Sequence, residues 1–556
     1  MPVKDLEKLK VIPLGGVEEI GGLNMTVYEY GEDIVVVDAG LMFPEDDMLG
    51  VDFVIQDFTY LLDNRERVKG IILTHGHEDH TGSLPFLLKE INVPVYGTAL
   101  TLGLVQEKLR EHNIKNLSLH RIKPRDSFEL GAFKVEFIRI THSIVDGVAL
   151  AIRTPVGVVI HTGDFKIDPT PVDGELLDFN SFTRYGEEGV LLMLSDSTNA
   201  ERGGFTFSEK EVRRAFEDIF AITTGRIIIS TFSSNIHRLQ QAIDVAAMFG
   251  RKVVICGRSM VNNSQIALDL GYMKMPKETW LEVDALKNLP DEEVLILTTG
   301  SQGEPMSVLS RIAIGEHKHI KIKDGDTIVI SAKAIPGNER SIGKLINRLF
   351  RLGANVIHEK VSEIHVSGHA SKEELKLMYN MVRPKYFVPV HGEYRHLVSH
   401  ARMLNRQGHP KDNTFLLKNG DILEVGPDSA EKSGQVSAGR VYIDGKGIGD
   451  VEEMVLRDRR RLGHDGIVLV MLTIDKEYGK LASAPDIITK GFIHEDDTAG
   501  VIDTIQEIVT ETIEGLDREV TTDPSLLQAK IRARLKKHFR NTLQRRPMIM
   551  PLIFEV

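Results

Sequence analysis

Short apolar runs that end in a polar residue recur through the first third of the chain. Segments such as DIVVVDAG, GIILTHGH and GVVIHTGD are rich in β-branched residues and are closed by Gly, Asp or His, as strands commonly are. Helical spacing of apolar residues appears between some of them, in SLPFLLKEI and TLGLVQEKLREHN. This alternation, with polar residues gathered at strand ends, predicts a layered α/β domain.

The rhythm changes near Ser208, where helical segments begin to alternate with single apolar strands. EKEVRRAFEDIF precedes RIIISTF, and IHRLQQAIDVAAMFG precedes KVVICG, which predicts a second α/β domain with a parallel sheet. Polar strand ends return beyond Val361 in HVSGHA and YFVPVHGE. Residues 425–465 are rich in Gly, Ser and Asp and predict a linker region. A small α+β domain follows, with helices between its first strand and its closing strand.

Composition narrows the possible chemistry. A chain of 556 residues is too long for one core, and 42% hydrophobic and 27% charged residues are ordinary values for a globular protein. The single cysteine, Cys256, excludes an internal disulfide framework and any thiolate zinc finger. The first residues contain no apolar signal core, and no apolar run is long enough to span a bilayer. We therefore expect a cytoplasmic protein with no membrane partner.

The net charge of −12 argues mildly against a nucleic-acid partner, but binding depends on local patches of charge. Two segments reverse the sign locally: residues 457–461 (RDRRR) and residues 530–546 (KIRARLKKHFRNTLQRR). Each could equally be a solvated face or part of a linker.

The run from Thr74 to His80 (THGHEDH) carries the strongest chemical signal. It places three imidazoles and two carboxylates directly after an apolar strand. Imidazole and carboxylate are the side chains that hold Zn²⁺ or Mn²⁺ when thiolate is absent. A His-rich surface loop is the alternative, but the position at a strand end favours a metal site.

Further His and Asp residues close other predicted strands. Asp38 ends DIVVVDAG, His142 ends FIRITHS, Asp164 ends VVIHTGD and His391 ends YFVPVHGE. Each alone is more typical of a cap or turn. Together they supply enough ligands for two metal ions, drawn from several strands.

These residues resemble the metallo-β-lactamase superfamily, whose motif T-H-x-H-x-D-H matches Thr74–His80. The resemblance implies a four-layer αβ/βα sandwich with a dinuclear site at one edge. It implies that Asp38 orients the site through hydrogen bonds, as metal-bound histidines require. By position, one metal would be held by His75, His77 and His142; the other would be held by Asp79, His80 and His391; Asp164 would bridge the two.

The pattern predicts that the second α/β domain is inserted between Asp196 and His369, an arrangement that resembles the β-CASP subgroup of nucleic-acid hydrolases. Asp196 in LSDSTN, His369 in HVSGHA and His391 in VPVHGE match its motifs A, B and C. In this subgroup, histidine at motif C is typical of RNA-processing members and valine of DNA-processing members. His391 therefore indicates RNA.

The chain is most similar to the bacterial ribonuclease J family, through LGGVEEIGGLN, LTHGHEDH, HTGDFKID, LSDSTN, STFSSN, HVSGHA and VPVHGEYRHL. The resemblance implies endonuclease and 5′→3′ exonuclease activity with a preference for 5′-monophosphate ends, in RNA maturation and mRNA decay. It implies two Zn²⁺ per subunit, with Mn²⁺ or Mg²⁺ as alternatives, and a structural Ca²⁺ near Asp444. It also implies a homodimer or homotetramer, with a paralogue or other RNA-decay proteins as further partners.

The expected domain boundaries follow from the same resemblance. The metallo-β-lactamase domain comprises residues 1–207 and 369–449, and the β-CASP domain comprises residues 208–368. A linker at 450–465 leads to a C-terminal domain at 466–556.

Two segments are candidates for binding a 5′-phosphate. Ser233, Ser234 and Asn235 lie between a strand and a helix, where backbone amides could face an anion, although an ordinary helix N-cap is the alternative. The family's phosphate-binding segment matches the second candidate, which comprises His365, Val366, Ser367, Gly368 and His369.

The mechanism that we expect is attack on phosphorus by metal-activated water, with His369, supported by Asp196, protonating the leaving 3′-oxygen. On this hypothesis the catalytic residues are Asp38, Asp79, Asp164, Asp196 and His369. Two alternatives remain open: a small-molecule metallohydrolase such as a lactonase or thioesterase, and a non-catalytic RNA-binding subunit.

Overall fold

Strands dominate the first part of the chain, and helices alternate with strands after residue 208. The computed structural model describes residues 7–45, 47–277, 279–304, 306–335, 338–359, 362, 364–445, 447–449, 453–493 and 498–556. Two compact units are present: one runs to residue 43 and resumes from 54 to 441, and the other comprises 44–53 and 442–556. Within the described residues, no helix has both the length and the apolar character that crossing a bilayer requires.

The elements that precede residue 200 belong to the first predicted domain. Its strands are β1 (Leu9–Gly15), β2 (Val17–Glu18), β3 (Met25–Tyr30), β4 (Asp33–Val37), β5 (Phe53–Gln56), β6 (Val68–Ile72), β7 (Val95–Gly97), β8 (Leu119–Arg121), β9 (Ser127–Leu130), β10 (Phe133–Arg139), β11 (Val148–Thr154), β12 (Gly157–His161) and β13 (Leu192–Asp196). Its helices are α1 (Thr59–Asp63), α2 (Glu78–Thr81), α3 (Leu84–Glu90), α4 (Ala99–Glu111) and α5 (Phe179–Glu188).

The inserted domain follows, and the chain then returns to the first. The insertion contains α6 (Lys210–Ile222), β14 (Ile227–Ser230), α7 (Ile236–Met248), β15 (Lys252–Cys256), α8 (Arg258–Asp269), β16 (Trp280–Leu281), β17 (Val294–Thr298), α9 (Val308–Ala313), β18 (Thr327–Ile330), α10 (Glu339–Arg351) and β19 (Asn355–Ile357). The returning chain forms α11 (Lys372–Val382), β20 (Tyr386–Val390), β21 (Gly392–Glu393), α12 (Tyr394–Arg406), β22 (Asp421–Val425), β23 (Ala430–Gln435) and β24 (Arg440–Asp444).

Two sheets pack face to face in the first domain. One has the order β23-β22-β1-β3-β4-β6-β7-β8, and the other has the order β20-β13-β12-β11-β10-β9. Buried side chains such as Val11 and Val37 of the first sheet and Phe137 and Leu150 of the second form one apolar cluster. Helix α4 contacts β7 and β8, while α5, α11 and α12 contribute to a cluster on the outer face of the second sheet. The predicted αβ/βα sandwich is confirmed.

The inserted domain has a sheet of order β16-β15-β17-β14-β18-β19. All of its strand pairs are parallel, as the alternation of helix and strand predicts. After this insertion the chain returns through β20, which pairs in parallel with β13 and places Val390 opposite Asp196. Residues on either side of the insertion therefore meet at one sheet edge.

The second unit contains the predicted small α+β domain, with a sheet of order β27-β26-β28. Its helices α14 and α16 share a buried apolar cluster with this sheet. The elements are β25 (Gly447–Ile448), α13 (Glu453–Asp465), β26 (Ile467–Ile474), β27 (Asp486–Lys490), α14 (Thr498–Glu514), α15 (Arg518–Thr521), α16 (Pro524–Thr542) and β28 (Met548–Glu555).

The segment predicted as a linker, residues 450–465, is helical over most of its length. Residues 450–452 lie outside the described residues, and the rest of the segment, 453–465, forms helix α13 with Leu456 buried. The density of charge suggests a linker, but Glu, Met, Leu and Arg are all favourable helix formers. The wider Gly- and Ser-rich region, 425–465, also contains strands β23 and β24.

Candidate active site

Asp38 connects the ends of two neighbouring strands beneath the site. Its Oδ1 accepts a hydrogen bond from the backbone N–H of Thr74, and its Oδ2 accepts one from the Thr74 hydroxyl, both at 2.8 Å. Oδ2 also accepts one from Nδ1 of His80 at 2.8 Å, which directs Nε2 of His80 toward Asp164, as in a metal-binding histidine. Asp38 has a positive φ of 64°, an uncommon conformation that is typical of functional positions.

A first cluster consists of His75, His77 and His142. Nε2 of His75 lies 3.0 Å from Nδ1 of His77, and Nε2 of His142 lies 3.2 Å from that same Nδ1. Nδ1 of His142 donates to the carbonyl of Gly368 at 2.7 Å, which directs Nε2 toward the other imidazoles. Three ring nitrogens that converge in this way form a donor set suited to one divalent cation.

A second cluster consists of Asp79, His80, Asp164 and His391. Oδ2 of Asp164 lies 3.2 Å from Nε2 of His80 and 3.4 Å from Nε2 of His391. The same oxygen lies 3.8 Å from Nε2 of His75, which belongs to the first cluster. Asp164 therefore stands between the two clusters, where a shared ligand is expected.

His369 and Asp196 complete the site from the domain junction. Nδ1 of His369 donates to Oδ2 of Asp196 at 2.8 Å. The hydroxyl of Thr198 donates to Oδ1 of Asp196 at 2.8 Å and lies equally close to Nδ1 of His391. Because that hydroxyl proton is engaged by Asp196, Nδ1 of His391 is the donor to Thr198. Its Nε2 faces the carboxylates of Asp79 and Asp164, at 3.3 and 3.4 Å.

The electrostatics of the site favour bound cations. Burial, and then the neighbouring imidazoles, lower the pKa values of His75 and His142 well below the usual histidine range. Burial alone would raise the pKa of Asp164, but the imidazoles around it lower that pKa well below its usual value. Burial likewise opposes a charged His391, yet the carboxylates of Asp164 and Asp79 raise its pKa to about 9. Ionised carboxylates beside the neutral imidazoles of His75 and His142 are donors that a divalent metal requires, and metal binding would release the extra proton of His391. The residues therefore fit the expected metals.

Four stretches of the chain match known domain families. Residues 20–229 match the metallo-β-lactamase superfamily, residues 224–349 the ribonuclease J β-CASP domain, residues 354–416 the Zn-dependent metallo-hydrolase RNA specificity domain, and residues 454–556 the ribonuclease J C-terminal domain.

Whole-chain relatives carry the same family name. The chain is 44% identical to ribonuclease J 1 of Streptococcus pyogenes over 98% of its own length and 97% of the relative. It is 42% identical to ribonuclease J2 of Bacillus subtilis over the full length of both. The chain belongs to the ribonuclease J family. Ribonuclease J of Thermus thermophilus is 41% identical over 99% of this chain and 96% of the relative.

A solved structure shows the same fold at greater distance. A crystal structure of an Enterococcus faecalis protein of unknown function covers 75% of this ribonuclease J family chain, with a TM-score of 0.55 and 15% identity. The family predicted from the sequence is confirmed, as is membership of a superfamily of metal-dependent hydrolases.

The first phosphate-binding candidate of this ribonuclease J family chain performs local structural roles. The Asn235 side chain caps helix α7 by accepting from the backbone N–H of Arg238, and the Ser233 hydroxyl accepts from the Asn263 side chain at 3.1 Å. Ser234 lies between them, with its carbonyl accepting from the N–H of Ile236. The N-cap alternative therefore describes this segment, and its phosphate role stays a prediction.

The second candidate, residues 365–369, lies beside the cluster of His75, His77 and His142. The Ser367 hydroxyl accepts from the side chain of Asn199 at 2.8 Å and from the N–H of His369 at 3.2 Å. A Cβ at Gly368 would lie 2.6 Å from an atom of the His142 ring, so only glycine permits this close approach. Val366 is buried in the core of the inserted domain.

A buried ion pair supports this segment, and sequence reasoning missed it. The Arg238 guanidinium is fully buried and donates to both carboxylate oxygens of Glu209, at 2.7 and 2.9 Å. It also donates to Nδ1 of His365 at 3.0 Å and to the Ser331 carbonyl at 2.9 Å. The only available signal was that Arg238 follows STFSSN by one helical turn. Because Nδ1 of His365 accepts, the ring carries its proton on Nε2.

The predicted calcium ligand is engaged elsewhere. The Asp444 carboxylate pairs with Arg459 of helix α13 at 2.5 Å. Among the described residues, Asp444 joins none of the clusters of metal-type side chains. The calcium site stays a prediction without support from this geometry.

Proposed function

We propose that the protein is a metal-dependent ribonuclease with 5′→3′ exonucleolytic and endonucleolytic activity, and that it prefers 5′-monophosphorylated RNA in RNA maturation and mRNA decay. The observation that carries the proposal is the junction itself. His369 and Asp196 flank the inserted domain. They lie close to the Asp164 carboxylate, which also contacts both histidine clusters. A small-molecule hydrolase of the superfamily has no need for this inserted domain.

The donor sets suggest which residues hold the metals. His75, His77 and His142 would hold one ion, and Asp79, His80 and His391 would hold the other, with Asp164 shared. Zn²⁺ suits these ligands, and Mn²⁺ or Mg²⁺ are alternatives. Two divalent cations lower the pKa of water and neutralise charge on a phosphodiester when they are bound.

His369 is placed to transfer a proton. Its Nδ1–H is held by Asp196, which fixes the ring and leaves Nε2 free to face a leaving 3′-oxygen. A carboxylate behind an imidazole also stabilises the charged ring, so that a proton on Nε2 is available for donation. Asp196 acts through His369 and is therefore a positioning residue.

The 5′-phosphate preference is attributed to the segment from His365 to His369. Since Arg238 donates to Nδ1 of His365, this ring offers a neutral Nε2–H donor. Ser367 adds a hydroxyl, and Gly368 permits close backbone approach to an anion. Discrimination between phosphate and hydroxyl ends would then rest on directed hydrogen bonds more than on net charge.

Family membership supports the remaining parts of the proposal. We expect a homodimer or homotetramer in the cytoplasm, with a paralogue or other RNA-decay proteins as partners. The basis for this expectation is that relatives match along the whole chain. Sedimentation of the purified protein tests its oligomeric state.

Chelation is expected to abolish cleavage of 5′-monophosphorylated RNA. The measurement is mononucleotide release from a labelled RNA with and without chelator, followed by restoration with Zn²⁺ or Mn²⁺. Chelator-sensitive mononucleotide release supports the proposal. Tight RNA binding without cleavage would identify a non-catalytic RNA-binding subunit instead, and hydrolysis of lactones or thioesters alone would identify a small-molecule enzyme.

Substitution of His369 by glutamine is expected to lower kcat about 10²–10⁴-fold, the usual contribution of a general acid. Metal content should be retained, because the described contacts of His369 run chiefly to Asp196. Single-turnover cleavage and elemental analysis are the measurements, and His120→Gln at an exposed site is the matched control. Unchanged cleavage and metal content would disprove the acid role. Loss of the 5′-end preference with intact internal cleavage would make His369 a phosphate ligand.

A further inference from the structure

Helix α16 and the turn after it carry an unusual excess of positive charge. The sequence between Pro524 and Phe554 contains no Asp or Glu. The cations in this stretch are Lys530, Arg532, Arg534, Lys536, Lys537, Arg540, Arg545 and Arg546. The protein as a whole has a net charge of −12, so this local reversal is not a reflection of overall composition.

The cations point away from the domain core. The buried face of α16 consists of Leu527, Ile531, Leu535 and Phe539, which recur at helical spacing and pack in the apolar cluster of the second unit. The remaining surface of the helix is exposed at Lys530, Arg534, Lys536, Lys537 and Arg540. We call these five residues the α16 cationic face.

No carboxylate neutralises the α16 cationic face among the residues that the structure describes. The basic cluster of α13 behaves differently: its Arg459 pairs with Asp444 and its Arg460 pairs with Asp47. Ion pairs therefore account for the basic cluster of α13. The cations of α16 have no such account among the described residues.

Like charges along this helix oppose its stability. Lys530 and Arg534 are four residues apart, as are Lys536 and Arg540, and such pairs destabilise a helix by a few tenths of a kcal/mol each. Arg534 and Lys537 are spaced at three residues, which also brings like charges together. Among the residues that the structure describes, the helix has several repulsive pairs and no attractive ion pair, a distribution of charge that favours binding of a polyanion.

We propose that the α16 cationic face binds the phosphate backbone of the RNA substrate, as a second binding site in addition to the metal centre. The inference rests on the proposed function. A helix of 19 residues is about 28 Å long, which is enough to follow several successive nucleotides. Binding of this kind is independent of sequence and strongly dependent on salt.

A second copy of the chain is the competing occupant. Helix α14 exposes the carboxylates of Asp503, Glu507, Glu511 and Glu514, which could face α16 of another molecule. The five cations of the α16 cationic face exceed these four acids, and Arg545 and Arg546 add positive charge in the turn that follows, so such an interface would leave positive charge uncompensated. The charge balance favours RNA, and the experiment distinguishes the two.

The test compares full-length proteins that differ in four charges. The test variant is Lys530→Gln, Lys536→Gln, Lys537→Gln and Arg540→Gln, since glutamine retains good helix propensity. The control variant removes four surface cations that are paired with carboxylates. They are the exposed Arg110, Arg214 and Lys323 and the partly exposed Arg153, each replaced by Gln. The probes are 5′-monophosphorylated oligouridylates of about 6 and about 40 nucleotides, lengths near the lower end of the usual range of single-strand site sizes and well above it. Binding is measured in excess chelator and cleavage in the presence of metal.

The test variant is expected to bind the long RNA on the order of 100-fold more weakly at physiological salt, and its salt slope should fall by about 3. For the long RNA, KM should rise while kcat stays unchanged, and the melting temperature should be equal to or above that of the wild type. The inference is overturned if the test variant binds the long RNA as tightly as the control variant does. It is also overturned if the test variant loses an oligomer that the wild type forms while its RNA affinity stays unchanged. Failure of the proposed function would look different, because the wild type would then cleave neither RNA.

Discussion

Replacement of Asp164 by asparagine is expected to lower kcat/KM for RNA cleavage by at least about 1000-fold, because loss of charge that neutralises two cations is worth several kcal/mol. Oδ2 of Asp164 lies between 3.2 and 4.0 Å from ring nitrogens of both histidine clusters. Asparagine keeps the shape of the side chain and removes the negative charge that both ions would share. Metal occupancy should therefore fall together with activity.

Three measurements on the same preparation check this result: kcat/KM on 5′-monophosphorylated RNA, metal content by elemental analysis, and the melting temperature. Asp428→Asn, at a fully exposed position, is the matched control and should behave as the wild type. Full activity with a full complement of metal in the Asp164 variant would show that the shared-ligand assignment is wrong.

The sequence predicts the metal ligands well for a physical reason. An apolar run that ends in His or Asp places that side chain at the end of a strand, and ends of neighbouring parallel strands meet at one sheet edge. Asp38 after β4 and the Thr74–His80 run after β6 follow this rule, since β4 and β6 pair in parallel.

The registers between distant strands could not be predicted. The pairing of β13 with β20 brings Asp196 opposite Val390, and His391 is adjacent because of it. Nothing local to either strand specifies this partner, since the whole inserted domain separates them. Only the resemblance to a known family connected Asp196, His369 and His391 before the fold was known.

Buried charge is the other feature that escaped prediction. Arg238 and Glu209 are 29 positions apart. Arg238 lies in α7 and Glu209 directly precedes α6, in segments where a charged residue normally faces solvent. Helix α13 was not predicted because its many charged residues are also typical of a linker, although several of its residues have favourable helix propensities.

Replacement of Glu209 by glutamine is expected to destabilise the protein by about 3–5 kcal/mol, the usual cost of leaving one member of a buried ion pair without its partner. The Arg238 guanidinium is fully buried, and its two hydrogen bonds to Glu209 provide its compensating negative charge. Thermal and urea-induced unfolding of the variant measure the loss. Arg214→Gln on the surface of α6 serves as a control, because exposed ion pairs contribute little.

A double variant separates stability from function at the same position. Replacing both partners, Glu209→Gln with Arg238→Met, removes the uncompensated charge, so most of the lost stability should return. The same double variant leaves Nδ1 of His365 without the donor that fixes its tautomer. The preference for 5′-monophosphate over 5′-hydroxyl RNA should therefore stay reduced, chiefly through KM, even though the fold has recovered. If preference returns together with stability, Arg238 has only a structural role, and the orientation of His365 must depend on other contacts. If neither returns, the ion pair is needed for the inserted domain to fold at all.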